Sequence, residues 1–101
     1  MTVLALDVGL SNTGYVVWDS VRRRILDAGV ISPVRRKGDG GVMLDLLVQC
    51  DELANAYKAL LDRYNPGRIL AEFPVGGGMN AKALRGMCMS SAVIGVVSVR
   101  R

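Results

Sequence analysis

The sequence contains no histidine. That absence removes Ser–His and Cys–His catalysis, His-ligated zinc and C2H2 zinc fingers together. Cysteine is nearly absent as well: Cys50 and Cys88 are too far apart in sequence to form a metal-spaced pair. Both fall on apolar helical faces. They are expected as core thiols rather than a disulfide, which suits a reducing cytoplasm. Acidic residues run out early, because no Asp or Glu follows Glu72, whereas Lys82, Arg85, Arg100 and Arg101 do. Residues 1–72 carry nine basic and nine acidic side chains, so the net charge of +4 arises entirely beyond them. A basic C-terminal third fits a phosphate-rich partner, although a solvated basic face has the same composition. Long apolar runs are missing too. The longest uncharged stretch, 86–99, falls short of the ~18 residues a membrane span needs. The start, "MTVLALD", has neither the basic region nor the apolar length of a signal peptide. No membrane partner is expected.

Half of the 101 residues are apolar, enough for one folded domain with a modest core. "VLALDV", 3–8, reads as a strand buried on both faces, since its apolar residues hardly alternate. "TGYVVWD", 13–19, and "ILDAGVIS", 25–32, are two more strands joined by short turns, which predicts an antiparallel meander ended by Pro33. Trp18 is expected in the core. After the basic, glycine-rich "VRRKGDGG" the period changes. Met43, Leu46, Leu47, Cys50, Leu53, Tyr57, Leu60, Leu61 and Tyr64 recur at helical spacing, and Asn65-Pro66-Gly67 ends that helix. "RILAEF", 68–73, is a fourth strand, and Asn80 is a suitable N-cap for a second helix over roughly 81–98.

The order β-β-β-α-β-α predicts an α/β fold with a mixed sheet. The helical crossover brings the fourth strand in parallel to a meander strand. Placed beside the first strand, it sets Asp7 and Glu72 together at strand ends, where open α/β sheets tend to hold ligands. Each acid closes an apolar run, where an unpaired charge is costly. Two carboxylates held together repel unless a cation intervenes, and Mg²⁺ or Mn²⁺ prefers such oxygen ligands. An acid at a strand end is also common without any metal.

"LALDVGLSNTGYVVWD" resembles the first motif of the RuvC family of Holliday-junction resolvases, within the ribonuclease H-like superfamily. Asp7, Gly9, Thr13 and Gly14 fill its Asp-x-Gly, polar turn and Ser/Thr-Gly pattern. "ILAEFP" and the following "GGGMNAKALRGMCMSSAVIGVV" are similar to the family's second motif, loop and helix. The resemblance covers essentially all of residues 1–101 as a single domain. It implies that Asp7 and Glu72 belong to a metal-binding, catalytic acidic cluster. It also implies two-metal hydrolysis of a phosphodiester in branched DNA such as a four-way junction. The family carries further acids on a later helix, after a fifth strand, and this sequence has none. The chain is therefore expected to be incomplete at its C-terminus and weak or inactive by itself.

Other residues have paired readings. Ser11 and Asn12 could touch phosphate or cap their turn. Arg35, Arg36 and Lys37 could contact DNA or form a solvated loop. Phe73 could stack on an unpaired base or fill the core. Asn80, Lys82 and Arg85 stand where a helix start favours phosphate. The helix after them is apolar almost all round, so Met87, Ser90, Ser91 and Ile94 are expected in a homodimer interface. "GGGMNAK" is not a P-loop, since residues 81 and 83 are alanine. Besides the nuclease, two classes remain: a non-catalytic nucleic-acid-binding relative, and a fragment of an actin-like ATPase or sugar kinase.

Overall fold

A computed structural model describes residues 1–34, 41–72 and 80–100. Arg35, Arg36, Lys37 and Phe73 lie outside these described residues. The elements are β1 (Thr2–Asp7), β2 (Thr13–Asp19), β3 (Arg24–Ile31), α1 (Gly41–Tyr64), β4 (Arg68–Ala71) and α2 (Ala81–Val99). The sheet order is β3-β2-β1-β4, with β1–β2 and β2–β3 antiparallel and β1–β4 parallel. The meander and the crossover take the predicted form.

One sheet face carries the core. Leu4, Leu6 and Val17 point to it and pack with Val8, Tyr57, Leu61 and Ile94. Burying each such side chain stabilises by about 1.5–3 kcal/mol. Strand alternation turns Val3, Ala5, Val16 and Trp18 to the other side. No described helix covers that side, so β1 is buried on one face only and Trp18, half-buried, is outside the core cluster. The predicted stripe on α1 is inward only from Gln49 onward, at Leu53, Tyr57 and Leu61, while Met43 and Leu47 are exposed.

Polar contacts tie the helices in place. Tyr64 Oη donates to Asp27 Oδ2 at 2.8 Å, joining the end of α1 to β3. That bond, followed by burial, pushes the Tyr64 phenol above its ordinary pKa. Ser98 Oγ donates to the Ile94 carbonyl at 2.7 Å, which commits its only proton. Tyr57 Oη is therefore the donor in its 3.0 Å bond to Ser98, linking α1 to α2. Both thiols are free, and Cys88 is exposed rather than a core thiol. Cys50 is half-buried, and desolvation raises its pKa.

The β2–β3 hairpin is held by Asp19, whose Oδ1 accepts from the Val21 and Arg22 amides at 3.0 and 3.2 Å. The Arg22 amide contributes most to a lowered Asp19 pKa, against a raising effect of desolvation. A depressed folded-state pKa stabilises fully above the unfolded value near 3.8 and is lost as pH falls through the folded value. In denaturant titrations between pH 5 and pH 2, the native chain is expected to lose stability more steeply than Asp19→Asn. Parallel curves would show that the Asp19 contacts do not form.

Candidate metal and nucleic-acid site

The register builds the site. Leu6 of β1 pairs with Ala71 of β4, so Asp7 and Glu72 occupy the next matched positions. Leu6 and Ala71 both pack on the helix side, and the pleat turns Asp7 and Glu72 to the uncovered face. Parallel neighbours lie about 4.8 Å apart, close enough for both carboxylates to reach one cation. Both line a concavity of about 910 Å³ whose floor is Ala5, Val16, Ala28, Val30 and Leu70. Among the described residues, neither carboxylate has a hydrogen-bond or ion-pair partner, and no group of three or more metal-type side chains occurs. Gly14 pairs with Asp7, and its Cβ position would be 3.6 Å from Asp7 Cβ. Any longer side chain there would stand beside the carboxylate.

The turn after Asp7 is fixed from three directions. Thr13 Oγ1 donates to the Gly9 carbonyl. The Gly9 amide approaches Thr13 Oγ1 at 3.3 Å. Ser90 Oγ from α2 donates to the same Gly9 carbonyl at 3.1 Å. Thr13 and Ser90 are fully buried, so these bonds form away from water. Asn12 Oδ1 accepts from Ser32 Oγ at 2.7 Å, which gives its side chain a turn-holding role, while Ser11 is exposed.

The start of α2 lies at this end of the molecule, since Ser90 reaches Gly9 and Gly86 faces Leu10. Asn80 Oδ1 accepts from the Ala83 amide at 2.8 Å and caps the helix as predicted. Lys82 and Arg85 are exposed one turn apart. The expected interface on α2 needs correction. Ser90 and Ile94 are spent inside their own chain, on the Gly9 carbonyl and the core, so they cannot meet a partner. Met87 and Ser91 are half-buried beside them. The outward side of α2 is instead Cys88, Ala92, Val96 and Val99. By length and composition α2 could cross a membrane, yet its inner side packs on the sheet.

Sequence reasoning did not find the role of Ser90. Its signal, one serine among small residues, carries no direction until the helix is docked.

The sheet order, the parallel β1–β4 pair and the two helices make up a mixed α/β fold like that of RuvC. No protein-family model matches the sequence, and no curated protein matches it. Among solved structures, the chain is similar to Thermus thermophilus RuvC in complex with a Holliday-junction substrate, with a TM-score of 0.76 at 13% identity. A T. thermophilus RuvC structure gives 0.66 at 14%, and an exopolyphosphatase from Cytophaga hutchinsonii gives 0.58 at 13%. The alignments cover 99%, 99% and 98% of this chain, but 59%, 58% and 31% of those chains. Identity this low shows a shared fold.

Proposed function

We propose that this chain supplies part of the metal site and part of the DNA surface of an endonuclease that cuts branched DNA. The observation that carries this reading is the matched placement of Asp7 and Glu72 on the uncovered face of adjacent parallel strands. The donor set fits Mg²⁺ or Mn²⁺, being carboxylate oxygen with neither histidine nor thiol beside it. When bound, such an ion polarises a phosphodiester and activates water. Asp7 and Glu72 hold it, and Gly14 leaves room for the substrate phosphate. Lys82 and Arg85 draw the DNA backbone toward this end of the sheet. Two-metal hydrolysis needs oxygen donors beyond this pair. Cleavage of a four-way junction by these residues alone is therefore expected to be weak. A cytoplasmic site of action suits this task.

Mn²⁺ binding followed by electron paramagnetic resonance tests the reading. Asp7→Asn and Glu72→Gln should each weaken binding at least about tenfold, because each removes one of two anionic ligands. Unchanged Mn²⁺ binding in both variants would refute the shared site. The lack of any acid in residues 73–101 favours a second reading, a nucleic-acid-binding relative without catalysis. That reading predicts junction binding that is indifferent to both substitutions and to metal.

A further inference from the structure

The opposite end of the sheet carries a charge pattern that the metal site does not use. Register places Arg24 of β3 beside Asp19 of β2, Asp19 beside Thr2 of β1, and Arg68 of β4 beside Val3. Arg24, Asp19 and Thr2 form one row on the helix side of that end, and Arg68, one residue further in, turns to the uncovered face. Arg22 and Arg23 project from the hairpin next to Arg24, Arg63 lies in the last turn of α1, and Arg100 is the C-cap of α2. All six arginines are exposed. The acids at this end are already engaged. Asp19 holds the hairpin amides and lies 3.9 Å from Arg22, and Asp62 pairs with Lys58 at 2.7 Å. Arg63 stacks over the Tyr64 ring, and Arg63 and Arg100 also suit the negative ends of their helices. Among the described residues, Arg23, Arg24 and Arg68 have no acidic partner.

Arg23 adds an independent observation. Its φ is +54°, in the left-handed region that favours glycine or asparagine. A long cationic side chain occupies a turn position where a small residue would be the easier choice.

From these features we infer that this arginine-lined end is a second binding surface for the phosphate backbone of duplex nucleic acid, separate from the carboxylate site. Five residues of β1 separate the two ends, about 17 Å at 3.3 Å per residue. The cations are arginines, whose planar fork matches phosphate oxygens in pairs. The apolar groups exposed nearby, Met1, Val21, Ile25 and Val99, are aliphatic. Membrane-surface anchors instead rely on aromatic residues. The surface needs no metal, so it stands or falls independently of the proposed catalytic site.

The test measures binding of the 101-residue chain to a fluorescent DNA duplex by anisotropy, across a salt series. A combined Arg22→Gln, Arg24→Gln, Arg68→Gln variant should bind about tenfold more weakly at low salt. Its slope of log affinity against log salt should shrink by about 2 to 3, near 0.9 per lost phosphate contact. Mn²⁺ binding at the other end should not change. Arg23→Asn alone should weaken DNA binding while leaving the chain as stable or more so. An unchanged salt slope in the triple variant overturns the inference, as does Arg23→Asn raising the melting temperature with DNA affinity intact. Phosphatidylserine vesicles serve as the rival polyanion. Arginine-dependent vesicle binding with an unaltered DNA slope also overturns it.

Discussion

Ile94→Asp is expected to abolish cooperative folding rather than to split a dimer. Ile94 is 5% exposed and sits among Leu4, Leu6, Val8, Val17, Tyr57 and Leu61. The substitution removes most of a buried aliphatic side chain, worth about 2–5 kcal/mol when truncated in a core. It also places a carboxylate where no cation is available, which adds several kcal/mol more unless the group takes up a proton. A small domain has only about 5–15 kcal/mol in total. Val96→Asp, two positions along the same helix and 57% exposed, is the matched control and should change stability by less than about 0.5 kcal/mol. Urea unfolding by circular dichroism, run with sedimentation of both variants, reads the difference. A folded Ile94→Asp chain with an altered association state would mean that α2 turns this side outward.

Among the described glycines, Gly9→Ala is expected to be the most damaging change to alanine. The added Cβ would lie 2.5 Å from the Asn12 carbonyl oxygen, a backbone atom. That backbone cannot retreat freely, because the Gly9 carbonyl already holds the hydroxyls of Thr13 and Ser90. Relief requires moving the turn, at about 1–3 kcal/mol or more for overpacking a buried site. Asp7 is two residues upstream, so Mn²⁺ affinity should fall along with stability. Gly95→Ala provides the contrast. Its Cβ position has nothing within 4 Å, and it lies inside α2. Alanine there should stabilise by about 0.5–1 kcal/mol through helix propensity alone. Melting temperatures of the two variants should move in opposite directions. Equal shifts would remove the special status of the Gly9 turn.

Much of the architecture was legible because it is written in local patterns. Period-two and period-3.6 apolar spacing set the strands and helices. The breakers Pro33 and Asn65-Pro66-Gly67 ended them, and the crossover rule made β4 parallel to its neighbour. Those same rules brought Asp7 and Glu72 to matched positions. The arginines at 22–24 are visible as a run, but that they share one end of the sheet with Arg63, Arg68 and Arg100 depends on which strand and helix ends coincide. Burial on both faces of β1 was misread, because an unbroken apolar strand looks the same whether or not its second face is covered.

The sequence by itself determined the order of elements, the turn at Gly9 and the two acids closing apolar strands, each an interaction between near neighbours in the chain. Only the tertiary structure decided which way α2 faces. A helix apolar around most of its circumference has no phase in its pattern. Its rotation is set by a few directional bonds from distant parts of the chain: the Gly9 carbonyl to Ser90, and Tyr57 to Ser98. Those bonds turn Ser90 and Ile94 inward, away from the outer side where a partner could meet them.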